Sequence, residues 1–283
     1  MKEKNRMNDK KVAVIGIGAI GRGVVHSYAL AGCKVWAVTR NGEDKMTAYI
    51  ENEVEKGRIS FEQREMILSN VLHCKLEELP KVGLVIEAIV EDVEEKQKLF
   101  SYLDETQSTS TVLASSTSTI PISKISSLCK NKDRIVGMHF STPVPIMELV
   151  EVIRSVFTSE EILEKTMKYC ELINKVGVVV KDFPGFVVSR LAQAMINEAA
   201  YILMQGIADA EAIDTIAKLG LNVPIGPLKL VDQTGIDVAL NGMESMRNLL
   251  GDQRYTPCPL FRQKVYDGHL GRKVGCGFYN YEK

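Results

Sequence analysis

The sequence predicts an α/β fold: a doubly wound, mostly parallel sheet with an inserted helical hairpin, followed by an all-helical C-terminal domain. Three observations carry that reading. Short apolar runs bounded by turn signals alternate with helical stretches through the first two-thirds of the chain. The first of these runs leads directly into a glycine-rich turn and a helix. Beyond about residue 183 the strand signal nearly vanishes and apolar residues recur at helical spacing.

A chain of 283 residues suits two domains. The stretch Lys181-Asp182-Phe183-Pro184-Gly185 reads as the boundary, giving a domain over 10–182 and a second over 183–283. The composition, 45% hydrophobic and 25% charged, is that of an ordinary soluble protein. A net charge of −1 gives no electrostatic case for nucleic acid or an anionic membrane as partner. No apolar run approaches the length of a spanning helix. The start, MKEKNRMNDK, lacks the apolar centre of a signal peptide and reads as a loose leader. The six cysteines show no CxxC pair and no metal-ligand spacing. They read as small fillers in a reducing, cytoplasmic setting, with no metal expected.

Residues 11–15 (KVAVI) form the first strand, followed by Gly16-Ile17-Gly18-Ala19-Ile20-Gly21, a helix over 22–31 and a second strand over 34–38. That βαβ context turns a weak GxGxxG into a specific dinucleotide signal. Gly16 permits the tight turn, Gly18 lets the backbone approach a pyrophosphate, and Gly21 lets helix and strand pack closely. Ala19 and Ile20 belong to the same cofactor-binding turn, and the N-terminus of the helix that follows supplies unpaired N–H groups and a positive dipole end for the phosphates. The second strand ends in Val38-Thr39-Arg40-Asn41, with no carboxylate before Glu43. An NAD site usually has an acid there for the ribose hydroxyls. A hydroxyl and a guanidinium suit a 2′-phosphate, so NADP(H) is favoured, with NAD(H) as the other possibility. Arg40 stacked on adenine or facing solvent is the competing reading.

Residues 45–70 are helical with a break at 56–58, and Ser60 with Gln63 reads as a capping box: a helical hairpin after the second strand. A strand over 82–88, a helix over 93–103 and a strand over 111–114 follow. Ser115-Ser116-Thr117-Ser118-Thr119 then gathers hydroxyls at a C-terminal strand end, where ligands of open α/β sheets bind. Such residues also serve simply as turn formers.

The organising stretch is 115–153. Glu151 interrupts the apolar run 149–153, and a carboxylate there is costly unless a partner satisfies it. His139 ends the preceding apolar run, and a chain turning through Pro143 and Pro145 can bring the two together. Glu151 would then hold one ring nitrogen while the other moves a proton. A core histidine bonded to a backbone carbonyl, with Glu151 on a solvated face, fits the spacing equally. After a helix over 160–173 and a strand over 177–180, the helices of the second domain begin at 186–206. Their apolar stripes read as core and subunit interface.

In order, the chain carries VAVIGIGAIGRG, VIEAIVEDVEEKQKLF, LASSTSTI, GMHFSTPVPIMELVEV, DFPGFVVSR, GPLKLVD and LGRKVGCGFYNY. On these motifs, spanning about residues 10–281, it resembles the 3-hydroxyacyl-CoA dehydrogenase family and its bacterial 3-hydroxybutyryl-CoA members. The resemblance implies a Rossmann-type dinucleotide domain and a helical substrate and dimerisation domain, hence a homodimer. It implies His139 as catalytic base and acid, Glu151 as the group that orients it, and Ser118 on the substrate oxygen. Glu91, Lys96 and Lys273 would lie by the cofactor, and Lys56 by CoA. Thr142 and Ser189 stand where the family has asparagines that hold the substrate and the histidine. A hydroxyl offers less reach than an amide, so the polar frame differs there. Glu51, Glu53 and Glu55 before Lys56 would oppose CoA phosphates.

The reading is an NAD(P)-dependent oxidoreductase acting on the 3-hydroxy/3-oxo group of a short-chain acyl-CoA. One rival is the same chemistry on a free hydroxy acid, as in the gulonate dehydrogenase branch of the family. The other is a non-catalytic dinucleotide-binding protein.

Overall fold

A computed structural model describes residues 10–281. Residues 1–9, which hold most of the leader reading, lie outside the described residues. The chain divides into two compact units at Asp182/Phe183.

In the first unit β1 (Lys11–Ile15) is flanked by β2 (Lys34–Val38) and β4 (Leu84–Glu87), and β3 (Val71–Cys74) lies outside β2. On the other side follow β5 (Val112–Ser115), β6 (Ile135–Phe140), β7 (Leu149–Arg154) and β8 (Val176–Lys181). Among the described residues the sheet has eight strands in the order β3-β2-β1-β4-β5-β6-β7-β8, parallel except where β7 runs against β6. The near-continuous apolar strands fit this, because helices cover both faces of a parallel sheet. The order reverses direction between β1 and β4, which makes a crevice at their C-terminal ends.

The register lines up the site. Ile15 lies beside Val38 and Glu87, and Glu87 beside Ser115, so the turns after β1, β2, β4 and β5 share one edge. Helix α1 (Ala19–Leu30) starts three residues earlier than its sequence pattern suggests, at the end of the glycine turn itself. The hairpin is α2 (Thr47–Glu55) and α3 (Phe61–Asn70). Ser60 and Gln63 cap α3 reciprocally, with Gln63 N–H donating to Ser60 Oγ at 3.2 Å and Ser60 N–H to Gln63 Oε1 at 2.9 Å. The edge strand β3 has no counterpart in the sequence reading. It is four residues long and follows α3 without a turn, so nothing local separates it from the helix. Helices α4 (Val93–Thr106), α5 (Ile122–Ile125) and α6 (Glu160–Leu172) complete the unit.

The second unit contains α7 (Val188–Met204), α8 (Ala210–Gly220), α9 (Pro227–Thr234), α10 (Ile236–Leu250) and α11 (Pro259–Tyr266). Two buried aspartates bind its sequence motifs together. Asp214 accepts from Leu228 N–H at 2.8 Å and Lys229 N–H at 2.9 Å, capping α9, and from Tyr279 Oη at 2.8 Å. Asp232 accepts from the N–H groups of Phe278 and Tyr279, both at 2.9 Å. Gly277 must lack a side chain, since a Cβ would lie 2.1 Å from Asp232 Oδ1. No helix among the described residues is long and apolar enough to cross a membrane.

Candidate active site

The glycine turn is a shaped cradle. Gly16 has φ +92°, and a Cβ on it would lie 2.6 Å from the Ala88 carbonyl oxygen. A Cβ on Gly21 would lie 1.9 Å from the Gly16 oxygen, so only glycine lets α1 start this close to β1. Around Gly18, by contrast, the space within 4 Å is open. Gly18 caps α1 without a side-chain acceptor, and no acid stands in the first turn. The first intrahelical bond is Arg22 N–H to Gly18 O, so the N–H groups of Ala19, Ile20 and Gly21 form the helix's unfilled start. An open cradle beside bare N–H groups at a dipole end fits a dinucleotide pyrophosphate. At the end of β2, Thr39 is buried and its hydroxyl donates to Glu43 O at 3.4 Å, while Arg40 is exposed.

His139 and Glu151 are direct cross-strand partners in the antiparallel β6/β7 pair, and their side chains therefore share a face. His139 Nδ1 lies 2.7 Å from Glu151 Oε2, with the residues 7% and 2% exposed. A carboxylate only accepts, so Nδ1 carries the hydrogen, and in the neutral ring Nε2 is then the basic nitrogen. This tautomer follows from the partner's chemistry.

Ser118 and Glu91 meet at the same edge of the sheet. Glu91 Oε1 accepts from Thr117 Oγ1 at 2.6 Å, Ser118 N–H at 2.9 Å and Thr119 N–H at 3.0 Å. Burial pushes the Glu91 carboxyl upward, but Lys96 and these donors outweigh it and hold its pKa below the usual value. Lys96 lies deeper than its motif suggests. It is 1% exposed, 2.5 Å from Glu87 Oε1 and 3.4 Å from Glu91 Oε2, so its ammonium is taken up by carboxylates. Glu87 also accepts from Ser115 Oγ at 2.6 Å and Ile89 N–H at 2.8 Å. Sequence reasoning missed Glu87, although a glutamate ending an apolar strand was the available signal.

Lys56 is exposed at the hairpin tip. Of the three acids before it, Glu51 is paired with Arg64 and Glu53 with Arg58, while Glu55 is exposed beside Lys56. Thr142 is exposed and precedes Pro143 through a cis peptide bond. Ser189 and Lys273 belong to the second unit. Ser189 is half-buried in the first turn of α7, and Lys273 Nζ is 2.5 Å from Asp237 Oδ1. Among the described residues no histidine, cysteine, aspartate and glutamate cluster could hold a metal.

The model of the family described as "3-hydroxyacyl-CoA dehydrogenase, NAD binding domain" matches residues 11–183, and that of its C-terminal domain matches residues 185–281. The chain is similar to the probable 3-hydroxybutyryl-CoA dehydrogenase of Bacillus subtilis, with 41% identity over 98% of this chain and 99% of that one. Among solved structures it is similar to M. tuberculosis FadB2, with TM-score 0.91 and 33% identity over 96% of this chain and 99% of the other. It is also similar to (S)-3-hydroxybutyryl-CoA dehydrogenase PaaH1 from Ralstonia eutropha, with TM-score 0.86 and 34% identity over 97% and 99%.

Proposed function

The chain belongs to the 3-hydroxyacyl-CoA dehydrogenase family, and from that premise we propose that it interconverts a short 3-hydroxyacyl-CoA, such as 3-hydroxybutyryl-CoA, and its 3-oxo form. The observation that carries this reading is the buried contact between His139 Nδ1 and Glu151 Oε2 at 2.7 Å. A bound nicotinamide supplies hydride transfer at the substrate C3. In oxidation His139 Nε2 takes the hydroxyl proton, and in reduction it returns it. Glu151 holds the ring in the required tautomer and stabilises the imidazolium that forms. The Ser118 hydroxyl bonds the reacting oxygen and places it for the transfer. The backbone of Gly16, Gly18, Ala19, Ile20 and Gly21 holds the cofactor pyrophosphate. Glu91 and Lys96 act on the cofactor side by ordering the turn that bears Ser118.

By the family resemblance, Lys56, Thr142 and Ser189 contact the substrate and Lys273 the cofactor. Pairing of Glu51 and Glu53 with arginines supports a CoA ester, since of the three acids before Lys56 only Glu55 is then left to oppose the phosphates. NADP(H) is the favoured cofactor, supported by Thr39 and Arg40 where an NAD site usually carries an acid. NAD(H) is the family's general cofactor, and it is the alternative. A homodimer is supported by exposed apolar side chains of the second unit, including Leu191, Ile216 and Leu219. A cytoplasmic setting is supported by six cysteines that are all free thiols.

The test is oxidation of NADPH and NADH by the purified protein with acetoacetyl-CoA and with free acetoacetate. Turnover of the thioester is expected. Turnover of the free acid alone would move the chain to the hydroxy-acid reading, which rests on Thr142 and Ser189. Absence of both would return the non-catalytic one.

A further inference from the structure

We propose that Lys175 is a positioning residue whose buried ammonium ties down the loop 141–148, between the strand of His139 and the strand of Glu151. The catalytic half of this inference rests on the function proposed above; the clamp itself does not.

Lys175 lies between α6 and β8. Asn174, at φ 54°, turns the chain back, and the Lys175 N–H closes onto Cys170 O at 3.0 Å. The residue is 7% exposed. Its Nζ donates to Val144 O at 2.6 Å and to Met147 O at 2.7 Å. An ammonium taken out of water needs such acceptors, and charge-assisted bonds of this kind are about twice as strong as neutral ones. Here both acceptors are loop carbonyls, so the energy that keeps the lysine buried is the energy that holds the loop.

Other contacts restrain the loop only in part: at its C-terminal end Val176 N–H donates to Glu148 O at 2.8 Å, which leaves 143–147 to be held otherwise. Ile146 N–H and Met147 N–H both donate to Pro143 O at 3.0 Å, which closes a local turn without anchoring it. Val144 is buried against α1 at Gly23, where a Cβ would lie 2.7 Å from Val144 Cβ. Beyond Val144 a cavity of about 340 Å³ opens, lined in part by His26, Pro145, Met147 and Lys175. On that flank the ammonium ties the loop through Val144 O and Met147 O. The loop enters β7 two residues before Glu151 and leaves β6 just after His139. A loop shift of about 1 Å is transmitted to both ends, and a misplacement of that size costs about a hundredfold in rate.

The experiment compares the full-length wild type with Lys175→Met by amide hydrogen exchange and by kinetics with acetoacetyl-CoA. Exchange across 141–148 is expected to quicken about tenfold or more in the variant. Its kcat is expected to fall about tenfold or more, while the Kd for dinucleotide, read by fluorescence titration, stays within about twofold because the glycine turn is untouched. Unchanged exchange at 141–148 would overturn the clamp, whether or not the wild type turns over acetoacetyl-CoA. Quickened exchange with an unchanged kcat would overturn the positioning role. An inactive wild type with quickened exchange in the variant would count against the proposed function and leave the clamp standing. Should Lys175→Met fail to fold, Lys175→Gln, which keeps a donor on a shorter arm, is read by the same outcomes.

Discussion

The ammonium of Lys96 and the carboxylate of Glu87 meet at 2.5 Å with their side chains 1% and 0% exposed, one from the first turn of α4 and one from the end of β4. Such a pair is weak proof of stability by itself, but removing one partner leaves an uncompensated buried charge. Lys96→Met is therefore expected to cost about 3–5 kcal/mol, read by urea unfolding. It should also loosen Glu91 and the 117–119 turn, lowering kcat. A variant as stable as wild type would show that the pair is dispensable.

His139→Ala should retain dinucleotide binding and lose nearly all turnover, because the proton then has no acceptor at the reacting oxygen. Retention of more than about a tenth of kcat would remove His139 from the mechanism. Glu151→Gln keeps the shape but can present an N–H to Nδ1 and favour the wrong tautomer. A loss of about a hundredfold or more in kcat, with dinucleotide affinity unchanged, is expected.

For cofactor choice the informative substitution is Arg40→Ala. A hydrogen bond to a charged group contributes about 1.5–3 kcal/mol, so kcat/KM for NADPH should fall about tenfold to a hundredfold while NADH is little affected. An equal effect on both cofactors would mean that Arg40 stacks on adenine or faces solvent.

Acid sensitivity should come from paired carboxylates. Burial raises the Asp104 carboxyl, but Arg134 and the N–H groups of Asn131 and Lys130 outweigh it and hold its pKa below the usual value. A carboxylate depressed in the fold contributes its stability fully above its unfolded pKa of about 3.9 and loses it as pH falls through the folded value. Glu91 behaves likewise. Unfolding free energy should thus decline as pH drops below about 4. Arg134 is 1% exposed and bonds Asp104 Oδ1 at 2.8 Å. Asp104→Asn should cost about 3–5 kcal/mol at neutral pH by stranding that guanidinium, and its acid profile should be flatter. A wild-type-like melt at pH 7 would overturn this account.

Much of the site was legible because its signals are local. The glycine spacing, the Ser60/Gln63 cap and a carboxylate set in an apolar run each follow from a few neighbouring residues, and the structure places Glu151 opposite His139. The strand β3 escaped because four residues flush against a helix carry no period of their own.

The sequence alone determined the order of most strands and helices, the dinucleotide turn and the histidine–carboxylate candidates, since backbone pattern and turn chemistry act between near neighbours. Only the tertiary structure decided the partners: that Lys96 turns inward to Glu87, that Arg64 and Arg58 pair with Glu51 and Glu53, and that Lys175 reaches Val144 and Met147. Those choices depend on which distant segments the packed sheet brings within about 3 Å, and on the cost of leaving a buried charge unanswered, neither of which is written in the spacing of a chain.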